Sequence, residues 1–343
     1  MLMVRGSRVL SFVVPSLWFC KILMGDYVLK VQINGPQIAD EFDRIVAEFP
    51  DIQFVFALDE SDYFTSCAEA EVMFDGVRSY PGALSAAKSL RWVQSSGAGN
   101  DKDPLIELAN RSILLTNAAG IHAIPVADTA LMLLLSIGRG GNWAIRNQIA
   151  HNWQLPPAIW EPAEKTAGIV ALGAIGIEIA KRVKSFGMNV IGVDVNTDIR
   201  SEYVDEIRPV SELPWLLGQS DAVFIAAPLT RATRHMMNDD TFAMMRNGSV
   251  FISVSRGGLT DTEALIRALD SDRFFGVGLD VVEEEPLMSD HPLWDRSNVV
   301  ITPHLGGNSP ERGRRLADLF IENLRRYANK QTLLNLVDLD AGY

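Results

Sequence analysis

"GIVALGAIGIEIAKRVKSFGMNVIGVD", residues 168–194, decides the fold. An apolar, β-branched run ends at Leu172, a turn holding Gly173 and Gly176 follows, and a helical pattern begins at once. A second apolar run then closes on Asp194. Strand, glycine turn, helix and strand in this order make one crossover unit of a parallel sheet.

Outward from that unit the rhythm repeats. "DAVFIAA" (221–227), "SVFISV" (249–254), "FFGVGLDV" (274–281) and "NVVITP" (298–303) are unbroken apolar runs, with helical patterns such as "LTDTEALIRAL" (259–269) between most of them. Runs without alternation mark strands buried on both faces, which is the signature of a parallel, doubly wound sheet. Upstream, "YVLKVQI" (27–33), "IQFVFAL" (52–58) and "LRWVQSS" (90–96) read as strands, and "PQIADEFDRIVAEF" (36–49) as an amphipathic helix. "HAIPVADTALMLLLSIGRGGNWAIRNQIAHN" (122–152) is a long helical segment; Asp128 and the break at Arg139–Gly141 argue against a membrane span. The final helix, "PERGRRLADLFIENLRRYANK" (310–330), is expected to pack back on the first domain.

The fold class expected is therefore α/β, with two Rossmann-like or flavodoxin-like domains, doubly wound parallel sheets, and a cleft between them. Residues 25–120 with 306–335 form a discontinuous substrate-binding domain, and 121–305 the dinucleotide-binding domain. Residues 1–24 carry Arg5 and Arg8 before an apolar stretch, with bulky Trp18 and Phe19 where a cleavage site would need small residues. They are expected to be an extension outside the fold.

Length and charge narrow the function classes. A chain of 343 residues with net charge −12 makes nucleic acid and anionic membrane poor partners. Its two cysteines, Cys20 and Cys67, have neither a disulfide framework nor metal-ligand spacing, which suits a reducing cytoplasm and no metal.

The glycine turn has its own chemistry. It must bring backbone N–H groups and a helix N-terminus against a pyrophosphate. A side chain at Gly173 would hold the phosphate off, and one at Gly176 would spoil helix–strand packing. Asp194, ending the next strand, is placed to accept both ribose hydroxyls, and its charge repels a 2′-phosphate, so NAD is expected over NADP. Ala171 stands where the first glycine of the fingerprint usually stands, and its expected effect on affinity is modest.

Three later strand ends carry unlike polar groups: Arg256 after the run at 249–254, Asp280 and Glu283–Glu285 after the run at 274–279, and His304 in "NVVITPHLGG" (298–307). In an open α/β sheet the carboxyl ends of the strands face the ligand crevice. Interconverting a 2-oxo acid and a 2-hydroxy acid needs a cation for the carboxylate, and arginine forks onto it. It also needs a group that gives or takes the hydroxyl proton as hydride moves, and a carboxylate behind that group to fix its tautomer. His122, His151, His235 and His291 are assigned no chemistry.

"SRGGLTDTEAL", "GLDVVEEEPL" and "NVVITPHLGG", in this order and spacing, resemble the D-isomer-specific 2-hydroxyacid dehydrogenase family over roughly residues 27–330. The resemblance implies that Arg256 binds substrate, His304 is the acid/base, and Glu285, directly before Pro286, is its partner. It assigns the phosphate turn to Ala174 and Ile175, between Gly173 and Gly176, and the ribose to Asp194. The adenosine side falls to Ala227, Pro228 and Thr233, and the carboxamide to Asp280, with Val254 and Gly307 completing the cofactor set. Gly97 and Ala98 in "SSGAGND" (95–101) become backbone contacts to a small 2-oxo or 2-hydroxy acid. It further implies a homodimer formed through the long helical region. The alternative from another class is an NAD-sensing corepressor or scaffold of the same fold with little turnover.

Overall fold

The computed structural model describes residues 28–99 and 103–339. The expectation for residues 1–24 lies outside the described residues, as do the last two residues of the "SSGAGND" loop. The chain divides into two compact units: one runs to Ala118 and resumes at Gly313, and the other spans Ala119–Arg312.

The first unit holds strands β1 (Lys30–Asn34), β2 (Gln53–Ala57), β3 (Val72–Phe74), β4 (Trp92–Gln94) and β5 (Leu114–Thr116). They pair in the order β2-β1-β3-β4-β5, all parallel, the flavodoxin-like order. The final helix, Arg312–Ala328, has a strongly amphipathic pattern and buries Leu316, Phe320 and Leu324. Phe320 packs at 5.2 Å from Phe74 and 5.7 Å from Trp92, so the helix completes the core of this unit.

The second unit holds β6 (Thr166–Val170), β7 (Asn189–Asp194), β8 (Glu206–Pro209), β9 (Ala222–Ile225), β10 (Ser249–Ser253), β11 (Phe274–Leu279) and β12 (Val299–Ile301). Their order is β12-β11-β10-β9-β6-β7-β8, again all parallel. β9 and β10 are buried at every position, which is why they read as continuous apolar runs. β8, "EIRP", is an edge strand with β7 as its one partner; its polar residues give no run to read. β3 and β5 are three residues each, too short for a period.

The long helical segment is two helices, Ala123–Gly138 and Gly141–Ile149, bent by 70° at the anticipated glycines. Gly140 sits at φ 70°, a left-handed turn that glycine adopts without strain. Among the described residues no single helix is long and apolar enough to cross a membrane. The apolar "TALMLLLSIG" stretch, expected to serve a dimer, packs largely inside its own unit: its helix lies on β10 and β11, and Ala130, Leu133 and Leu134 are fully buried. Met132 remains exposed.

The unit boundaries also differ from expectation. The breaks fall at 118/119 and 312/313 rather than 120/121 and 305/306. Gly306 N donates to Asp280 Oδ2 (2.9 Å) and the Gly307 carbonyl meets His122 Nδ1 (3.0 Å), so the loop after β12 is held in the second unit.

Candidate active site

From β6 the chain moves outward through β7 and β8, then returns to β9 on the other flank of β6. The carboxyl ends of β6 and β9 therefore bound a topological switch point, where open α/β sheets take ligands. The turn after β6 is tied down twice: Ala171 N donates to Val193 O (2.9 Å) and Leu172 N to Asp194 Oδ2 (2.7 Å). Gly173 caps the 12-residue helix Ala174–Ser185 without a side-chain acceptor, leaving its first N–H groups for an external anion. A Cβ built at Gly173 meets nothing within 4 Å, whereas one at Gly176 would lie 2.1 Å from Ala171 O. The first is an open cradle and the second a close helix–strand contact, so the turn fits a dinucleotide phosphate.

Ala171 adopts φ 73°. An L-residue held there is strained by about 1 kcal/mol. Ala171→Gly is expected to raise stability by about that amount, with dinucleotide affinity changed less than about tenfold. Denaturant melts and calorimetric titration check this; a several-hundredfold affinity change would show that the alanine sets binding.

The remaining cofactor candidates sit at the carboxyl ends of the other strands, but several have a second duty. Asp194 Oδ1 accepts from Asn196 N (2.8 Å), so the carboxylate braces both its own turn and the glycine turn. Ala227 and Pro228 follow β9, and the Thr233 hydroxyl donates to Pro228 O (2.7 Å) while accepting from Thr230 N (2.8 Å). Thr233 thus shapes the turn that presents Pro228. Val254 directly follows β10 with its side chain buried in the core, which leaves only its backbone for a ligand.

Asp280 is almost completely buried, and its carboxylate accepts from Thr302 Oγ1 (2.6 Å), Leu305 N (3.0 Å) and Gly306 N (2.9 Å). His304 N donates to the Asp280 carbonyl (2.8 Å). This aspartate organises the loop that carries the histidine, a role the sequence reading missed; the hydroxyl of Thr302 and the glycine at 306 were the available signal. A Cβ at Gly306 would lie 2.6 Å from Asp280 Oδ2. His122, assigned no chemistry, braces the same loop through Gly307.

The three groups read as a constellation follow three consecutive strands, β10, β11 and β12. Neighbouring strands lie about 4.8 Å apart, so Arg256 and His304 leave strand ends about 10 Å apart with the Glu285 segment between. His304 Nδ1 pairs with Glu285 Oε2 at 2.7 Å. His304 itself holds φ 51°, a left-handed conformation that is uncommon for a side-chain-bearing residue and recurs at functional sites. Arg256 is half-buried, and its Nη1 donates to Ser255 O (2.9 Å). A Cβ at Gly257 would fall 1.8 Å from Val282 O, so the arginine turn lies directly on the backbone that leads to Glu285.

Gly97 and Ala98 belong to the first unit, in the loop after β4. Ser96 N donates to Asp75 Oδ1 (2.8 Å), and Ala118 N to Gly97 O (2.8 Å), which fixes the entry to the loop.

Comparison with known proteins decides the family. Residues 131–306 match the model of the D-isomer specific 2-hydroxyacid dehydrogenase, NAD binding domain. The chain belongs to the D-isomer-specific 2-hydroxyacid dehydrogenase family. A glyoxylate reductase of Thermococcus litoralis is 34% identical over 271 residues, covering 75% of this chain and 80% of that protein. A crystal structure of a family protein from Aeromonas salmonicida aligns with TM-score 0.79 at 28% identity, over 92% of this chain and all (100%) of the other. An NADPH-dependent glyoxylate/hydroxypyruvate reductase from Sinorhizobium meliloti, solved with NADP and sulfate, aligns at TM-score 0.75 and 27% identity, over 92% and 100%. As a dehydrogenase of this family the protein is an oxidoreductase acting on a CH–OH group, and the matched region lies in the second unit, which is the nicotinamide-dinucleotide domain.

Proposed function

We propose that the protein interconverts a small 2-oxo acid and its D-2-hydroxy acid with NAD(H), with Arg256, Glu285 and His304 as the working groups. The observation that carries this reading is the 2.7 Å pair between His304 Nδ1 and Glu285 Oε2, one strand away from a half-buried arginine. Glu285 accepts from Nδ1–H, which leaves Nε2 as the proton-transferring nitrogen. When bound, the dinucleotide supplies or takes the hydride at the substrate's C2. In reduction, His304 Nε2 gives its proton to the C2 oxygen as the hydride arrives; in oxidation it takes that proton back. Arg256 holds the carboxylate through its guanidinium fork, and the backbone N–H groups of Gly97 and Ala98 are the further contacts the family resemblance supplies.

Gly173–Gly176 would hold the pyrophosphate, Ala227, Pro228 and Thr233 the adenosine side, and Asp280, Val254 and Gly307 the nicotinamide end. Asp194 supports NAD over NADP: two backbone amides hold its carboxylate at the end of β7, where in this reading it would face a 2′-phosphate. Oxidation of NADH and NADPH against glyoxylate, hydroxypyruvate and bulkier 2-oxo acids tests the whole reading. NADH with a small acid is the expected pair; preference for NADPH would overturn the role of Asp194, and turnover with none would overturn the function.

The proposed homodimer surface is the exposed apolar set Ile145, Ile149, Trp153, Leu155 and Ile159, on and just after the helix Gly141–Ile149. Trp143 Nε1 donates to Gln154 O (3.3 Å), which keeps the connector beside that helix. Ile149→Asp combined with Trp153→Asp should halve the solution mass seen by light scattering; an unchanged mass would place the interface elsewhere.

A further inference from the structure

The run Glu283–Glu285 carries two glutamates that face histidines, and only one belongs to the proposed chemistry. Glu285 meets His304, while Glu283 Oε1 meets His235 Nε2 at 2.5 Å. The same Glu283 oxygen lies 3.4 Å from Arg234 Nη2, and its Oε2 accepts from Thr262 Oγ1 (3.4 Å). His235 is held at φ 50°, and its backbone N donates to Gly258 O (3.0 Å). Met237 N donates to Leu259 O (3.0 Å) and Asp261 N to Met237 O (2.8 Å), so the segment at 235–237 runs beside the chain just past Arg256. A Cβ at Gly257 would lie 1.8 Å from Val282 O and 2.6 Å from Glu283 N.

Three segments therefore meet: 234–237, the turn and helix start at 256–262, and 282–285. One bears the arginine clamp and another the partner of the acid/base. Glu283 is the side chain that reaches both of the other segments. We propose that Glu283 and His235 are positioning residues, fixing the segment of Glu285 against the turn of Arg256 so that clamp and acid/base keep their separation. This rests on the roles proposed above for Arg256, Glu285 and His304.

The pair is partly exposed, at 37% for His235 and 25% for Glu283, so its contribution to folding is small. Its contribution to geometry is not, because reacting groups lose rate steeply with displacements of an ångström. The left-handed backbone at His235 is a local strain that the surrounding contacts sustain.

The test compares Glu283→Ala with Glu283→Gln in the full chain. Glu283→Ala should lower kcat/KM for glyoxylate about 10- to 100-fold, divided between kcat and KM, with the dissociation constant of NADH within about twofold. The Nδ1 proton resonance of His304, assigned by its loss in His304→Gln, should shift or broaden. Glu283→Gln should recover most of the activity, since its amide oxygen still accepts from His235 Nε2 and its amide NH2 can donate to the Thr262 hydroxyl. A lowered melting temperature with unchanged kcat, KM and Nδ1 resonance would overturn the proposal. Should Glu283→Ala fail to fold, Thr262→Val and His235→Leu each remove a donor that faces Glu283 and are read in the same way. Should the wild type turn over no 2-oxo acid, the functional reading fails by itself; the His304 resonance in Glu283→Ala then decides positioning alone, an unmoved signal overturning it.

Discussion

His304→Gln is expected to lower kcat by about 10²- to 10⁴-fold, the range that a positioned acid/base group contributes. Glutamine fills similar space and still offers a donor, but it has no proton to exchange near neutral pH. The loss should fall on kcat, because the imidazole is used as charge moves and contributes little to holding the ground state. NADH affinity should stay near wild type, since the residues proposed for its pyrophosphate, ribose and adenosine follow β6, β7 and β9, while His304 follows β12. Glu285→Gln should give a smaller loss of about tenfold: the amide oxygen can still accept from Nδ1–H, but the stabilising charge is gone. Steady-state kinetics with NADH titration separates these terms. A His304→Gln enzyme with wild-type kcat would mean that another group moves the proton.

Much of this was legible in the sequence because the relevant signals are local. β9 and β10 are buried throughout, so their apolar runs could belong only to a doubly covered sheet. The pairing of His304 with Glu285 rather than Glu283 or Glu284 came from the "EP" and "TPH" motifs, and the structure brings those two side chains together. What stayed hidden depends on partners distant in the chain. β8 has a polar sequence and exists through pairing with β7. The clamp of Asp280 on its histidine loop needs residues 302–306 folded back over β11, a contact between positions more than twenty residues apart. His122 was set aside as a residue flanking the long helix and His235 for its polar context, yet each braces a loop through a partner far along the sequence. "TALMLLLSIG" is apolar for a reason internal to its own unit as well: its helix packs on β10 and β11 and buries Ala130, Leu133 and Leu134 there.

Arg256→Ala is expected to fail differently, and the contrast with His304 is the sharper test of the site. Leaving two charge-assisted hydrogen bonds unmade costs about 1.5–3 kcal/mol each, which corresponds to about 10²- to 10⁴-fold in kcat/KM. Most of it should appear in KM for the 2-oxo acid, because the carboxylate is held in ground state and transition state alike. One edge of the guanidinium is already committed, Nη1 to Ser255 O at 2.9 Å, which orients the rest of the fork. Arg256→Lys keeps the charge but not the fork, so it should recover only part of the loss, about tenfold of it. A 2-oxo compound lacking the carboxylate gives the converse reading: wild type and Arg256→Ala should turn it over with similar, poor efficiency, since the group the arginine recognises is missing from the substrate. If Arg256→Ala instead kept its KM for glyoxylate, the carboxylate would have to be held elsewhere, and the arginine's contact with Ser255 would be its whole role.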